Sequence, residues 1–289
     1  MFIEGGIRQS RGSVAYGTPA VVVNAALSRV GTSKKGWVEA DMTQLDSSPV
    51  ALVTGGARRI GASIVRCLHE SGVRVAIHYR NSADEAQALV KSLNAKRADT
   101  AKAFALDLVD TRRHADLIES CAAHFGRIDY LVNNASAFYP TRLPAVTESD
   151  WEDLIGINLK APLFLAQAAS GYLKASAGAI VNIVDIYGER PLAGYAVYST
   201  AKAGLIMLTR ALAVELAPEV RVNAVAPGAI LWPERRGGDG ERDAVVARTA
   251  LKRTGEPEDV ARAVRFLAQD AGYTTGEIFS VDGGRSLRY

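Results

Sequence analysis

Cysteine is scarce in this 289-residue chain, with only Cys67 and Cys121 present. Both fall in helix-like segments and read as reduced core thiols; their spacing offers neither a disulfide framework nor a metal site. Long apolar runs are missing too: none approaches the ~18 residues of a membrane-spanning helix. The stretch from Ala20 to Leu27 is too broken to be expected to act as a signal peptide. Charge of one sign is not in excess, since 34 basic and 31 acidic residues leave +3. That balance argues against a nucleic-acid or membrane-surface partner. What remains is ordinary globular material, 48% apolar and 22% charged, in a chain long enough for one large α/β domain.

Residues 1 to about 47 are rich in Gly and Ser and lack sustained periodicity, so they are expected to form a disordered extension. Met42 offers an alternative start. From Val50 onward, short β-branched runs alternate with amphipathic segments. Strands are predicted at Val50–Thr54, Val73–His78, Thr100–Ala105, Tyr130–Asn133, Ala179–Val184, Arg221–Ala226 and Ile278–Val281. Helices of about 10–20 residues fill the gaps, which predicts βαβ units and a doubly wound parallel sheet flanked by helices. No linker divides residues 48–289, so a single Rossmann-type domain is expected there.

The glycine-rich turn Thr54-Gly55-Gly56-Ala57-Arg58-Arg59-Ile60-Gly61 follows the first strand and opens a helix reaching about Ser71. Such a turn lets the backbone approach a pyrophosphate, and the helix N-terminus favours its charge. Gly55, Arg58, Arg59 and Ile60 are therefore candidate cofactor contacts. The second strand ends in His78-Tyr79-Arg80-Asn81-Ser82, with no acid before Asp84. An acid there would bind ribose hydroxyls, whereas Arg80 can fork onto a 2′-phosphate and Ser82 can donate to it. NADPH is the expected cofactor, with His78 and Tyr79 beside it. After the third strand, Asp107 either accepts from the adenine amino group or caps a helix, with Leu108 adjacent. Asn133-Asn134-Ala135 ends the fourth strand at the carboxyl edge of the sheet, where open α/β folds bind ligands.

Tyr198 and Lys202 stand one helical turn apart on the same face. A free phenol has a pKa near ~10, and lowering it to about 7 takes roughly 4 kcal/mol. One cation about 4 Å away, at an effective dielectric of ~20, is worth that much. The pair is expected to act as a proton donor tuned by Lys202.

In combination, the glycine turn, Asn133-Asn134-Ala135, Asn158, Tyr198-x-x-x-Lys202 and Pro227-Gly228 resemble the short-chain dehydrogenase/reductase family over residues 49–289. Three departures narrow the resemblance. Arg59 replaces the middle glycine of the turn. Asp185 stands 13 residues before the tyrosine, where the family carries serine. Ser136-Ala137-Phe138-Tyr139-Pro140 follows the two asparagines in place of a glycine. All three resemble the pteridine reductase branch, as do His78–Ala83 and Val281–Leu287.

The resemblance implies a cytoplasmic homotetramer that reduces pterins, and possibly dihydrofolate, with NADPH. Within that reading Tyr198 delivers a proton, Asp185 hydrogen-bonds to it, and Lys202 holds the nicotinamide ribose. Asn158 would order a relay water, and Asn134, Ala135, Ser136, Pro227 and Gly228 would line the cofactor. Phe138 would stack the pterin, Arg59 would bridge it to the phosphates, Ser136 would meet its edge, and Trp232 would wall the pocket. A loop over about 229–255 would cover the substrate. Each has a plainer role open to it: Phe138 and Trp232 as core anchors, Asp185 as a strand-end acid. Two other functions stay open: a carbonyl reductase of the same family, such as one acting on 3-oxoacyl thioesters, and a non-catalytic NADP(H)-binding regulator.

Overall fold

Short runs rich in Val, Ile and Ala become strands here, and those in the middle of the sheet bury both of their faces. The computed structural model describes residues 47–230 and 239–287. The expected N-terminal extension, apart from Ser47, and Trp232 lie outside the described residues. Seven strands form one parallel sheet: β1 (Val50–Val53), β2 (Arg74–Tyr79), β3 (Ala101–Ala105), β4 (Tyr130–Asn133), β5 (Ala179–Ile183), β6 (Arg221–Pro227) and β7 (Ile278–Val281). Their order is β3-β2-β1-β4-β5-β6-β7, with every neighbouring pair parallel. This is the doubly wound Rossmann-type arrangement that the alternating pattern predicts, and the observed bounds stay within a residue of the predicted ones.

Alternation along β1 distributes the core. Val50 and Leu52 pack on one face with Leu117 and Ile118 of α3 (His114–Phe125) and Leu165 and Ala169 of α5 (Ala161–Ala175). Ala51 and Val53 point to the other face, against Ile64, Val65 and Leu68 of α1 (Arg59–Glu70) and Val260 and Val264 of α8 (Pro257–Arg265). Leu52 and Ile64 are wholly excluded from solvent. Truncating either to alanine costs ~2–5 kcal/mol in a core this tightly filled.

The remaining helices are α2 (Ala83–Asn94), α4 (Glu148–Ile155), α6 (Ala196–Glu215) and α7 (Asp239–Ala247). Strand order reverses between β1 and β4, and that switch point opens a crevice outside the carboxyl ends of the strands. The glycine turn, the Asn133-Asn134 segment, Asp185 and the start of α6 all arrive at this edge. Among the described residues no helix is long and apolar enough to cross a membrane, and no cluster of three or more His, Cys, Asp or Glu could hold a metal.

Candidate active site

The turn after β1 is held from three sides. Gly55 adopts a left-handed backbone, φ +60°, which glycine accepts without steric cost. A Cβ on Gly61 would lie 2.2 Å from the Gly55 carbonyl oxygen, so only glycine lets α1 start this close to the turn. Asn134 donates from Nδ2 to the carbonyls of Thr54 (2.9 Å) and Gly55 (3.1 Å). The Thr54 hydroxyl accepts from the backbone amides of Asn134 and Ala135 at 2.9 and 3.0 Å.

His78 supplies the third support. Gly55 N donates to His78 Nδ1 at 3.1 Å, so Nε2 carries the proton and donates to the Leu106 carbonyl at 3.0 Å. Gly56 N donates to the His78 carbonyl at 2.9 Å. Burial pushes this imidazole down to about 4, so it is neutral at pH 7. The sequence suggests a histidine beside the cofactor; the ring instead spends both nitrogens inside the protein, tying β2 and β3 to the turn.

Helix α1 begins with no acidic residue in its first turn and no side-chain cap. Its free amides and dipole suit an anion. Around this end stand exposed Arg58, Arg59 and Arg80. Arg58 is lightly paired with Glu85 of α2 at 3.4 Å, an exposed contact. Arg59 is unusual: its φ is +51°, a conformation that costs an L-residue about 1–2 kcal/mol. Ile60 packs against the core on the α1 side of the sheet, and Leu108 is buried. Tyr79 and Ser82 are half-buried, the latter at the N-terminus of α2. Asp107 is exposed and accepts from Val109 N at 3.1 Å, a local turn. This set of an open helix end, several cations and no acid closing β2 fits a phosphorylated dinucleotide.

The reacting end gathers Asp185, Tyr198, Lys202, Ser136 and Asn158. Asp185 ends the strand segment after β5, and Tyr198 lies on the first turn of α6. The phenol donates to Asp185 Oδ2 at 2.8 Å, while Asp185 Oδ1 accepts from Tyr187 N at 2.9 Å. Tyr198 is 4% exposed, so its phenolate would form out of water and beside a carboxylate. Burial first, then the Asp185 charge and hydrogen bond, raise the phenol well above its ordinary value. The expectation that Lys202 brings it toward neutrality is therefore corrected. Lys202 Nζ donates to the Ile183 carbonyl at 2.8 Å and lies 5.7 Å from the Tyr198 ring centroid. Burial lowers the lysine itself to about 8. Burial also raises Asp185. The phenol thus keeps its proton at the reacting edge.

Asn158 falls in a π-helical turn, Gly156–Lys160, between α4 and α5. One extra residue in the turn re-aims the side chain, a feature common at functional sites. Its Nδ2 donates to the carbonyls of Leu154 and Ala137 at 2.9 and 3.0 Å, and its Oδ1 accepts from Ser136 Oγ at 2.6 Å. The Ser136 hydroxyl also neighbours the Tyr198 phenol. Asp185, Tyr198, Ser136 and Asn158 form one polar row.

Phe138 leaves 43% of its surface exposed. It stacks on Tyr195, with centroids 4.6 Å apart and planes 13° from parallel, and meets the Tyr198 edge at 4.7 Å. Tyr195 was not singled out from the sequence; it stands at the N-cap of α6, just before the helix that carries Tyr198. Tyr187 and Arg285 were also missed. Arg285 Nη2 donates to the Tyr187 hydroxyl at 3.2 Å and its guanidinium sits 6.0 Å from that ring. Pro227 closes β6, and a Cβ on Gly228 would come within 2.7 Å of Asp282 Cα, which locks the loop after β6 to the turn after β7.

Comparison with known proteins agrees with this architecture. Residues 55–286 match the family described as Enoyl-(Acyl carrier protein) reductase. Pteridine reductase 1 of Leishmania tarentolae is 36% identical over 286 residues, covering 85% of this chain and 99% of that protein. The 3-oxoacyl-(acyl-carrier-protein) reductase FabG of Staphylococcus epidermidis is 38% identical over 238 residues, covering 81% and 97%. The corresponding reductase of Synechocystis is 38% identical over 247 residues, covering 84% and 98%. The chain belongs to the short-chain dehydrogenase/reductase family of oxidoreductases.

Proposed function

We propose that this protein is an NADPH-dependent reductase of pterins and folates, a cytoplasmic homotetramer of the pteridine reductase type. The observation that carries the reading is the 2.8 Å hydrogen bond from the Tyr198 phenol to Asp185. A serine at that position polarises a carbonyl; a carboxylate there would oppose the oxyanion that carbonyl reduction develops. Reduction of a C=N bond asks instead for a proton at nitrogen. Tyr198, held protonated, would give that proton to the ring nitrogen, and Asp185, once it has taken up a proton from solvent, would pass one back to the phenolate.

Bound NADPH would supply the hydride. Arg80 and Ser82 would hold its 2′-phosphate, and Gly55, Arg58, Arg59 and Ile60 its pyrophosphate side. Asp107 and Leu108 would meet the adenine, and Asn134, Ala135, Pro227 and Gly228 the nicotinamide half. Lys202 would bind the ribose, and Asn158 would fix Ser136 next to the phenol. The Phe138–Tyr195 slab offers a flat, electron-rich wall that suits a pteridine ring.

One rival has specific support. The FabG relatives are as similar as the pteridine reductase, which favours a 3-oxoacyl thioester reductase as the second reading. Asp185, Arg59 and Phe138 count against it. Initial rates of NADPH oxidation with dihydrobiopterin, dihydrofolate and an acetoacetyl thioester, measured in parallel, separate the two. Turnover confined to the thioester would reject the first reading.

A further inference from the structure

Beside the site, a cation makes no direct ion pair among the described residues. Arg285 lies on a short 3-10 turn, Arg285–Leu287, that follows β7. Its contact is with a phenol: Nη2 donates to the Tyr187 hydroxyl at 3.2 Å, and the guanidinium hangs 6.0 Å from the Tyr187 ring. Among the described residues no carboxylate pairs with it. The nearest acid in sequence, Asp282, is fully used in capping: Oδ1 accepts from Gly284 N at 2.8 Å and Oδ2 from Ser286 N at 2.7 Å. These two bonds shape the turn that presents Arg285. Gly228 packs against Asp282, so the turn is seated on the same Pro227-Gly228 loop as the candidate cofactor site.

Arg285 is also coupled to the reacting end. Tyr187, which receives its hydrogen bond, gives its own backbone amide to Asp185 at 2.9 Å, and Asp185 receives the Tyr198 phenol at 2.8 Å. Arg285 therefore stands two residues outward from the proton donor, half-buried, with guanidinium donors left for a ligand. Its charge is felt by Asp185 through space, but its one hydrogen bond goes to a phenol, which leaves the other guanidinium N–H groups for an anion. A planar carboxylate matches the guanidinium fork bidentately.

We infer that Arg285 is a specificity-determining residue that recognises a carboxylate on the substrate's side chain, so that the preferred substrates are folate-class pteridines rather than pterins with uncharged side chains. This rests on the pteridine reading above. The side chain of a pteridine leaves from the ring being reduced. In this proposal it would start beside Tyr198 and Asp185 and extend toward Arg285, which is linked to them through Tyr187.

The test is Arg285→Met, with Arg285→Lys beside it, in the full chain. The quantity read is the ratio of kcat/KM for dihydrofolate to kcat/KM for dihydrobiopterin. The ratio should fall about 10-fold or more in Arg285→Met, through KM for dihydrofolate, as expected when a charge-assisted bond to a carboxylate is lost. Arg285→Lys should recover part of it. Raising ionic strength should lower kcat/KM for dihydrofolate in the unmodified protein and have less effect in Arg285→Met. An unchanged ratio, with both substrates slowed alike, would overturn the proposal and make Arg285 only a support for Tyr187 and Asp185. Failure of the unmodified protein to reduce either pteridine would reject the functional reading itself, and this inference with it.

Discussion

His78 allows a stability prediction whose size follows from the structure. Its imidazole is 2% exposed and held neutral between Gly55 N and the Leu106 carbonyl. Its pKa falls from 6.5 to about 4 in the fold, with burial as the largest cause. Because the folded value is depressed, the unfolded chain binds the proton first as pH drops. Stability is therefore fully present above pH 6.5 and is lost progressively down to about pH 4. At ~1.36 kcal/mol per unit this separation amounts to about 3 kcal/mol from one residue.

His78→Gln removes the titration, and its amide can keep only one of the two bonds. At pH 7 the variant should be about 1–3 kcal/mol less stable, the cost of a buried polar group left unmatched. Between pH 6.5 and 4 the gap to the unmodified protein should close. The assay is urea unfolding at several pH values and one fixed protein concentration, read as the difference between the two curves, so that other acid-titrating groups cancel. Parallel curves would refute the neutral-bridge assignment. NADPH affinity should also drop in the variant, because the same ring holds the glycine turn.

Two further outcomes bear on the cofactor end. Arg80→Ala should raise KM for NADPH far more than KM for NADH; equal rises would remove the 2′-phosphate role. Arg59→Gly should relieve the left-handed strain and raise stability by up to about 1 kcal/mol. It should at the same time raise KM for both NADPH and pterin, and a gain in stability with unaltered kinetics would leave the arginine without a binding role.

Much of the fold was legible because short β-branched and aromatic runs bounded by turns differ sharply from amphipathic helices. That contrast located β1, β4 and β7 to the residue or nearly so. The glycine turn, Asp185, Tyr198 and Lys202 were readable because their chemistry depends on spacing along one turn or one helix. Other features depend on contacts distant in sequence. The His78 ring bridges Gly55 and Leu106, and no local pattern announces a neutral imidazole used that way. The lysine four residues from a tyrosine suggested a lowered phenol pKa, but Lys202 is spent on the Ile183 carbonyl while Asp185 takes the phenol. The π-turn at Asn158 arises from one added residue that periodicity does not mark. Arg285 and Tyr187 are 98 residues apart, and only the closure of β7 beside β6 brings them together.

The central claim is that Asp185 and Tyr198 form a donor suited to a ring nitrogen. Its most direct test is Asp185→Ser, with turnover of dihydrobiopterin and of an acetoacetyl thioester measured in both proteins and NADPH affinity as control. Loss of the partner that restores the proton should cut pterin turnover by about 10²–10⁴ and leave NADPH binding nearly as it was, with thioester reduction unchanged or gained. Pterin reduction by Asp185→Ser at the unmodified rate would contradict the account.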